Sequence, residues 1–143
     1  MEKISFVLIL IFAVNFVAFS QSAEEEYIKS AVEKVQKMDY DDALIDLNKV
    51  ILVNPKNATA WLYRGNVKYA LNDFKGALFD INKSIELKPQ HILAYQLRGL
   101  VKKSMKNYKG AIEDFTKVIE TKSDFTDAYT KRGIAKFELD DYQ

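Results

Sequence analysis

The chain has 143 residues, with 21 basic and 20 acidic side chains and a formal net charge of +1. A content of 48% hydrophobic and 29% charged residues fits one folded domain and excludes a disordered chain, and the balanced charge argues against a nucleic-acid binder, which carries a basic excess. There is no cysteine, and His91 is the single histidine. Disulfides, thiolate metal sites, a cysteine nucleophile, lipid attachment through cysteine and two-histidine metal or catalytic sites are therefore excluded.

Residues Ile4 to Phe19 read ISFVLILIFAVNFVAF, an uncharged apolar run preceded by Lys3 and closed by Ala18 and Ser20. This layout predicts a secretory signal peptide over residues 1–20, cut between Ser20 and Gln21. The rival reading is an uncleaved membrane anchor. Sixteen helical residues span only about 24 Å, however, short of a hydrocarbon core of about 30 Å. Export then places the protein in a periplasm, cell envelope or extracellular space. Removing residues 1–20 takes away Glu2 and Lys3 together, so the charge of the remainder stays at +1.

Beyond residue 21, a 34-residue period organises the chain. Tyr27, Trp61, Tyr95 and Tyr129 are each 34 apart, as are Ala31, Gly65, Gly99 and Gly133. Tyr40, Phe74, Tyr108 and Tyr142 share the interval; so do Ala43, Ala77 and Ala111, and Leu47, Ile81 and Phe115. Pro55 and Pro89 close two of the units, and Ser123 stands in the third such place. Within a unit, Trp61 to Ala70 reads as one helix, Asn72-Asp-Phe-Lys as a turn, and Gly76 to Leu87 as a second helix ended by Lys88-Pro89, because proline cannot continue a helix and displaces its predecessor from helical geometry. A glycine inside a helix costs about 1 kcal/mol relative to alanine. Gly65, Gly99 and Gly133 therefore each need a packing reason, and Gly65 with Ala77 marks where two helices cross. Trp61 and Phe74 are expected to supply large apolar area at that crossing.

The spacing Trp-x2-Arg-Gly, Ala-x3-Ile and Pro resembles the tetratricopeptide repeat, a helix–turn–helix of 34 residues. The resemblance covers residues 24–143 and implies an all-α, right-handed superhelical solenoid over residues 21–143. The repeats are 24–57, 58–91 and 92–125, followed by a partial repeat, 126–143. The chain departs from the pattern at Ser123. In the fourth repeat, Asp140-Asp-Tyr142 reads as a turn with no second helix after it, leaving Ile134 and Phe137 without cover; truncation, a self-capping last helix or a covering partner would each account for that.

Charges follow the same period. Arg64 and Lys68, Arg98 and Lys102, and Arg132 and Lys136 recur at 34, and so do Asp46, Asp80 and Asp114 on the second helices. Like charges four apart on a helix repel, so each Arg–Lys couple needs an acidic neighbour. Counting columns, with Ser30 in the first arginine position, predicts structural ion pairs between successive repeats: Arg64 with Asp46, Arg98 with Asp80 and Arg132 with Asp114. Pairing inside a repeat is the rival, and by this count it leaves Asp46 and Arg132 over. The functional alternative to such bridging is a basic strip for an acidic ligand.

The resemblance further implies that the first helix of each repeat lines a concave face. The inward positions map onto Leu62, Tyr63, Asn66 and Tyr69, then Leu93, Gln96, Leu97 and Leu100, then Thr130 and Lys131 with Ile134 and Phe137. Such an apolar face with a few amides suits an extended peptide or an amphipathic helix. The family's carboxylate clamp for acidic chaperone tails would fall on Leu62, Asn66, Leu97, Asp127 and Lys131, of which only Asn66 matches in kind, so that ligand is rejected. His91 is expected to be a surface residue of a loop. Asn57-Ala-Thr59 and Asn82-Lys-Ser84 match the glycosylation sequon without further support. Glu24-Glu25-Glu26 suits the start of a helix, and no phosphate-binding glycine loop occurs.

The expected function is therefore an exported, non-catalytic scaffold for a protein or peptide. It has no cofactor, metal, nucleic acid or small-molecule substrate, and a membrane is involved only if residues 1–20 stay attached. One alternative is a docking or sensory segment of a longer enzyme or signalling protein cut off at residue 143; another is a membrane-anchored envelope adaptor.

Overall fold

A computed structural model describes residues 21–141. The predicted signal peptide, its cleavage site and Tyr142 lie outside that range. Among the described residues seven helices follow one another: α1 over residues 21–36, then α2 (Tyr40–Val53), α3 (Ala58–Ala70), α4 (Phe74–Leu87), α5 (Ile92–Ser104), α6 (Tyr108–Thr121) and α7 (Thr126–Asp141). No helix among the described residues is long and apolar enough to cross a membrane.

The second helices begin earlier than the sequence suggests, at Phe74 rather than Gly76, because Asp73 caps the helix by accepting a hydrogen bond from the Gly76 amide at 2.9 Å. Asn107 does the same for Gly110 at 3.0 Å. The turn between paired helices is tight, and its middle residue is left-handed each time, at Met38 (φ 65°), Asn72 (φ 62°) and Lys106 (φ 61°). Asp140 occupies the corresponding place in the fourth repeat, yet it is helical, since α7 continues through Asp141. The expected turn over residues 140–142 is thus corrected as far as the structure describes it. Among the described residues no helix folds back onto α7 to reward leaving the helical conformation.

The columns form the core. Ala43, Ala77 and Ala111, Leu47, Ile81 and Phe115, and Ala60, Ala94 and Ala128 are all fully buried. Each second helix packs between its own first helix and the next one, so three apolar clusters succeed one another from α1 to α7, neighbouring clusters sharing a first helix. The crossing at Gly65 is close: a Cβ there would lie 2.8 Å from Ile81 Cγ1 and 3.3 Å from the Ala77 carbonyl oxygen. Trp61 and Phe74 flank this crossing half-buried instead of filling it. Trp61 meets the Phe79 ring edge-on at 6.2 Å, and Phe74 lies against Tyr69 at 5.9 Å. The Trp61 indole donates to the Pro55 carbonyl, 2.8 Å away. Glu24 does more than suit a helix start, since it is buried and accepts hydrogen bonds from Asn54 and Asn57, tying α1 to the turn that leads into α3.

Ion pairs form inside repeats, which corrects the expected pairing. Arg64 grips Asp80 in a fork, Nε to Oδ2 at 2.8 Å and Nη2 to Oδ1 at 2.7 Å, and Lys68 adds a contact of 2.8 Å. Arg98 and Lys102 hold Asp114 in the same way, at 2.6 and 2.8 Å. The cause is the crossing itself: Gly65 on Ala77 and Ile81 sets position 64 directly against position 80. Arginine still links repeats by its third nitrogen, which donates backwards to Asn48 from Arg64 (2.7 Å) and to Asn82 from Arg98 (2.8 Å). Asp46 is not left over. Ser30 donates to it at 2.7 Å, Lys34 at 2.5 Å, and Lys49 lies 3.5 Å away. Burial works to raise the Asp46 carboxyl, but the hydrogen bonds from Lys34 and Ser30 outweigh it and hold the group below the usual carboxylate range, while Asp46 pulls Lys34 upward. Arg132 stacks on Tyr129, with its guanidinium 5.6 Å from the ring centre, and reaches Thr116 at 3.4 Å in place of the expected Asp114.

Candidate functional site

The first helices α1, α3 and α5 share one face. Leu62, Tyr63 and Asn66 from α3 and Leu93, Gln96, Leu97 and Leu100 from α5 enclose a groove of about 270 Å3. Tyr63 and Asn66 also wall a second hollow of about 120 Å3 with Ala31, Val32, Val35 and Gln36 of α1 and Leu47 of α2. A single side-chain ridge thus separates two hollows along one furrow.

Seven of the twelve residues predicted for a concave surface line this groove. Their environments differ. Leu97 is only 8% exposed and Leu62 7%, and both belong to the core between α3, α4 and α5. They form the floor, and truncating them would cost stability as well as contact. Leu93, 56% exposed, stands free at the rim. Tyr69 turns away, packing on Phe74 and meeting the Ser104 hydroxyl at 3.3 Å. Thr130 and Lys131 lie beside the groove on α7 and do not line it. Lys131 pairs with Asp127, and Asp127 also accepts from Gln96 at 2.7 Å. One carboxylate, then, sits at the rim, and no lysine or arginine lines the groove.

The α1 contribution went unread in the sequence, although the period offers it: Val32 and Val35 lie 34 before Asn66 and Tyr69. A second omission is Ser84. It occupies the column of Val50 and Val118, fully buried, and lies 3.0 Å from His91 Nδ1. His91 is accordingly half-buried at the start of α5 and not a free surface residue. Ser84 donates to the Ala58 carbonyl at 2.8 Å, so its oxygen accepts the His91 Nδ1 proton. A hydroxyl that is buried and gives its proton to a carbonyl is no nucleophile. The three groups act as a tie between α3, α4 and α5.

Burial, with help from Lys88, pushes the His91 imidazole below its ordinary value. The unfolded chain then binds a proton that the folded chain resists. Stability from this group is complete above the ordinary histidine value of about 6.5 and falls as the pH drops towards the lower folded value. Thermal unfolding from pH 7 to pH 5 should show this loss. The variant His91→Phe, which copies Phe125 one repeat later, should lose the part of the slope that lies below the ordinary histidine value of about 6.5.

Both sequon asparagines are already engaged. Asn57 caps α3 through the Ala60 amide and donates to Glu24, and Asn82 accepts from Arg98. Among the described residues no cluster of three or more histidine, aspartate or glutamate side chains could hold a metal ion.

Known proteins share both pattern and fold. The tetratricopeptide-repeat family model matches residues 58–91 and 92–125. The chain carries tetratricopeptide repeats. Its fold superposes on the first such domain of Spaghetti (RPAP3), described as bound to HSP90 peptide SRMEEVD, with a TM-score of 0.79 at 19% identity, over 82% of this chain and 94% of that one. The TPR2B domain of yeast Sti1, described in a complex with pHsp70, gives 0.73 at 20% identity, over 85% and 98%. MamA gives 0.74 at 27% identity, over 78% of this chain and 66% of that chain. No curated protein matches the chain in sequence.

Proposed function

We propose that the chain is an exported, non-catalytic scaffold that holds a peptide segment of a partner protein along the furrow of α1, α3 and α5. The observation that carries this reading is the groove itself. It has a leucine floor, the exposed Leu93 at its rim, and the amides of Asn66 and Gln96 placed to bond a peptide backbone. Rigid repeats suit the role, because a preformed surface spends no ordering entropy on binding. Two neighbours of the fold are described in complexes, one with an HSP90 peptide and one with pHsp70, which supports peptide capture as the use of this face.

The ligand chemistry differs from that of an acidic tail. The HSP90 peptide named above carries three carboxylate side chains, whereas this groove is lined by no cation and is flanked by Asp127. An apolar segment, extended or helical, is the better fit. The export half of the proposal rests on the composition of residues 4–19, and the mass of the mature protein tests it.

Affinity selection of random peptides on the immobilised full chain tests the groove. Selected peptides are expected to be rich in large apolar residues. The double variant Tyr63→Ala, Leu93→Ala should weaken their binding at least tenfold; the exposed Leu93 contributes nothing to the melting temperature, whereas Tyr63 packs half-buried against the core and its truncation lowers it. Leu97→Ala is the wrong probe, because it opens the core at a cost of about 2–5 kcal/mol. Peptides that bind the double variant as well as the wild type would remove the groove from the account.

A further inference from the structure

The two hollows of the furrow differ in size. The one between α1 and α3 holds about 120 Å3 and the one between α3 and α5 about 270 Å3. A closed cavity of about 150 Å3 takes one benzene ring, so the first suits a branched aliphatic side chain and the second a full aromatic one. They lie on either side of α3, and packed helices stand about 8–10 Å apart. On the ridge between them sits Asn66, half-buried and shared by both hollows. Asn48, Asn54, Asn57, Asn82 and Asn107 are all engaged by side chains or helix ends. The Asn66 amide has no hydrogen-bond partner among the described residues. Gln96, on the next ridge, is already bonded to Asp127.

We propose that the furrow selects a polyproline II segment with three anchors: a branched aliphatic residue in the α1–α3 hollow, an aromatic residue three positions away in the α3–α5 hollow, and a lysine or arginine three further on, beside Asp127. This rests on the furrow being the binding face. Spacing decides the backbone. Polyproline II rises about 3.1 Å per residue with three residues per turn, so every third side chain falls on one edge, about 9 Å apart. A β-strand repeats its face after two residues, at about 7 Å, or four, at about 13 Å, and misses the second hollow. A helix reaches it with every seventh residue, about 10.5 Å away. Its backbone groups are bonded internally, however, and Asn66 would lie beneath it unpaired. Polyproline II leaves its N–H and C=O groups bare, and the Asn66 amide both donates and accepts. Charge complementarity sets the third anchor. Gln96 and Lys131 both donate to Asp127 Oδ2, so Oδ1 is free among the described residues, on a side chain 50% exposed. An incoming cation has an acceptor there.

The probe is the blocked peptide acetyl-Pro-Val-Pro-Pro-Phe-Pro-Pro-Lys-Pro-amide, titrated into the full chain alongside its sequence-reversed twin, because the spacing is the same in either chain direction. One of the two should bind saturably. Exchanging its valine and phenylalanine should weaken it at least tenfold, and so should deleting one proline between them. A peptide with phenylalanine at both anchors should bind weakly to the wild type and at least threefold more tightly to Val32→Ala, which widens the smaller hollow. Asn66→Leu, similar in size but without the amide, should weaken the parent peptide at least tenfold without lowering the melting temperature. Replacing the peptide's lysine by glutamate should weaken binding about threefold at low salt, and Asp127→Lys should reverse that preference. Equal binding of the proline-deleted peptide, or indifference to Asn66→Leu, would overturn the proposal. So would failure of both probes while peptides selected from a random pool still bind in a Tyr63-dependent way; the furrow would then stand with a different ligand. Selected peptides that ignore Tyr63→Ala would overturn the furrow itself, and this proposal with it.

Discussion

Replacing Asp80 by alanine is expected to destabilise the protein by about 3 kcal/mol, which lowers the melting temperature by roughly 10 °C. Asp80 has no exposed surface, yet it accepts from both Arg64 and Lys68. Removing it leaves two cations facing each other four residues apart on α3, with the side chain of Arg64 15% exposed and that of Lys68 23%. That residual hydration keeps the loss at the lower end of the range for broken buried pairs. Asp127→Ala should cost less than about 1 kcal/mol, because the Asp127 side chain is 50% exposed, so its pair with Lys131 is screened by solvent. The pairing geometry is tested by double-mutant cycles. Arg64 and Asp80 should couple by at least about 1 kcal/mol, and Arg98 and Asp80 should not couple. Coupling of Arg98 with Asp80 would restore the inter-repeat pairing that the columns alone suggest.

The same substitution should have opposite signs at equivalent glycines. Gly99→Ala is expected to destabilise by about 2 kcal/mol, because the added Cβ would lie 2.7 Å from Phe115 Cε1, with two further ring atoms at 3.0 and 3.1 Å. Phe115 is wholly enclosed and cannot swing aside. Gly65→Ala meets Ile81 and the Ala77 carbonyl and should behave likewise. Gly133→Ala adds a methyl group to empty space in mid-helix, so only the helix-propensity term remains, and stability should rise by up to about 1 kcal/mol. Chemical unfolding of the three variants reads all three signs. A loss at Gly133 would mean that something already occupies the face of α7.

The 34-residue period made most of the fold legible, because a repeat states its own packing rule several times over. Small residues at 65 and 77 marked the crossing, and the alanine and large apolar columns marked the core. What the columns could not state is which of two equivalent partners a charge takes. Arg64 stands 16 residues before Asp80 and 18 after Asp46, and only the crossing at Gly65 sets it against Asp80. A hint was present: Arg64 adjoins the glycine of the crossing, and Asp80 lies one turn beyond Ala77. The α1 wall was legible too, since Val32 and Val35 are columns of Asn66 and Tyr69. Ser84 and Glu24 were not. Both are single polar residues whose partners, His91, Asn54 and Asn57, sit in turns, where the period fixes backbone and leaves side-chain chemistry free. The helical state of Asp140 was equally hidden, since the turn residues promise a bend that only a packed second helix makes worthwhile.

The central claim is that the furrow of α1, α3 and α5 is the peptide-binding face. Hydrogen-exchange footprinting of the full chain with a saturating selected peptide tests it most directly. The account predicts added protection on the segments carrying Val32 to Gln36, Leu62 to Asn66 and Leu93 to Leu100, with no change in α2 and α4 on the side away from the furrow. Protection confined to α4 and α6, or spread evenly over the chain, would contradict it.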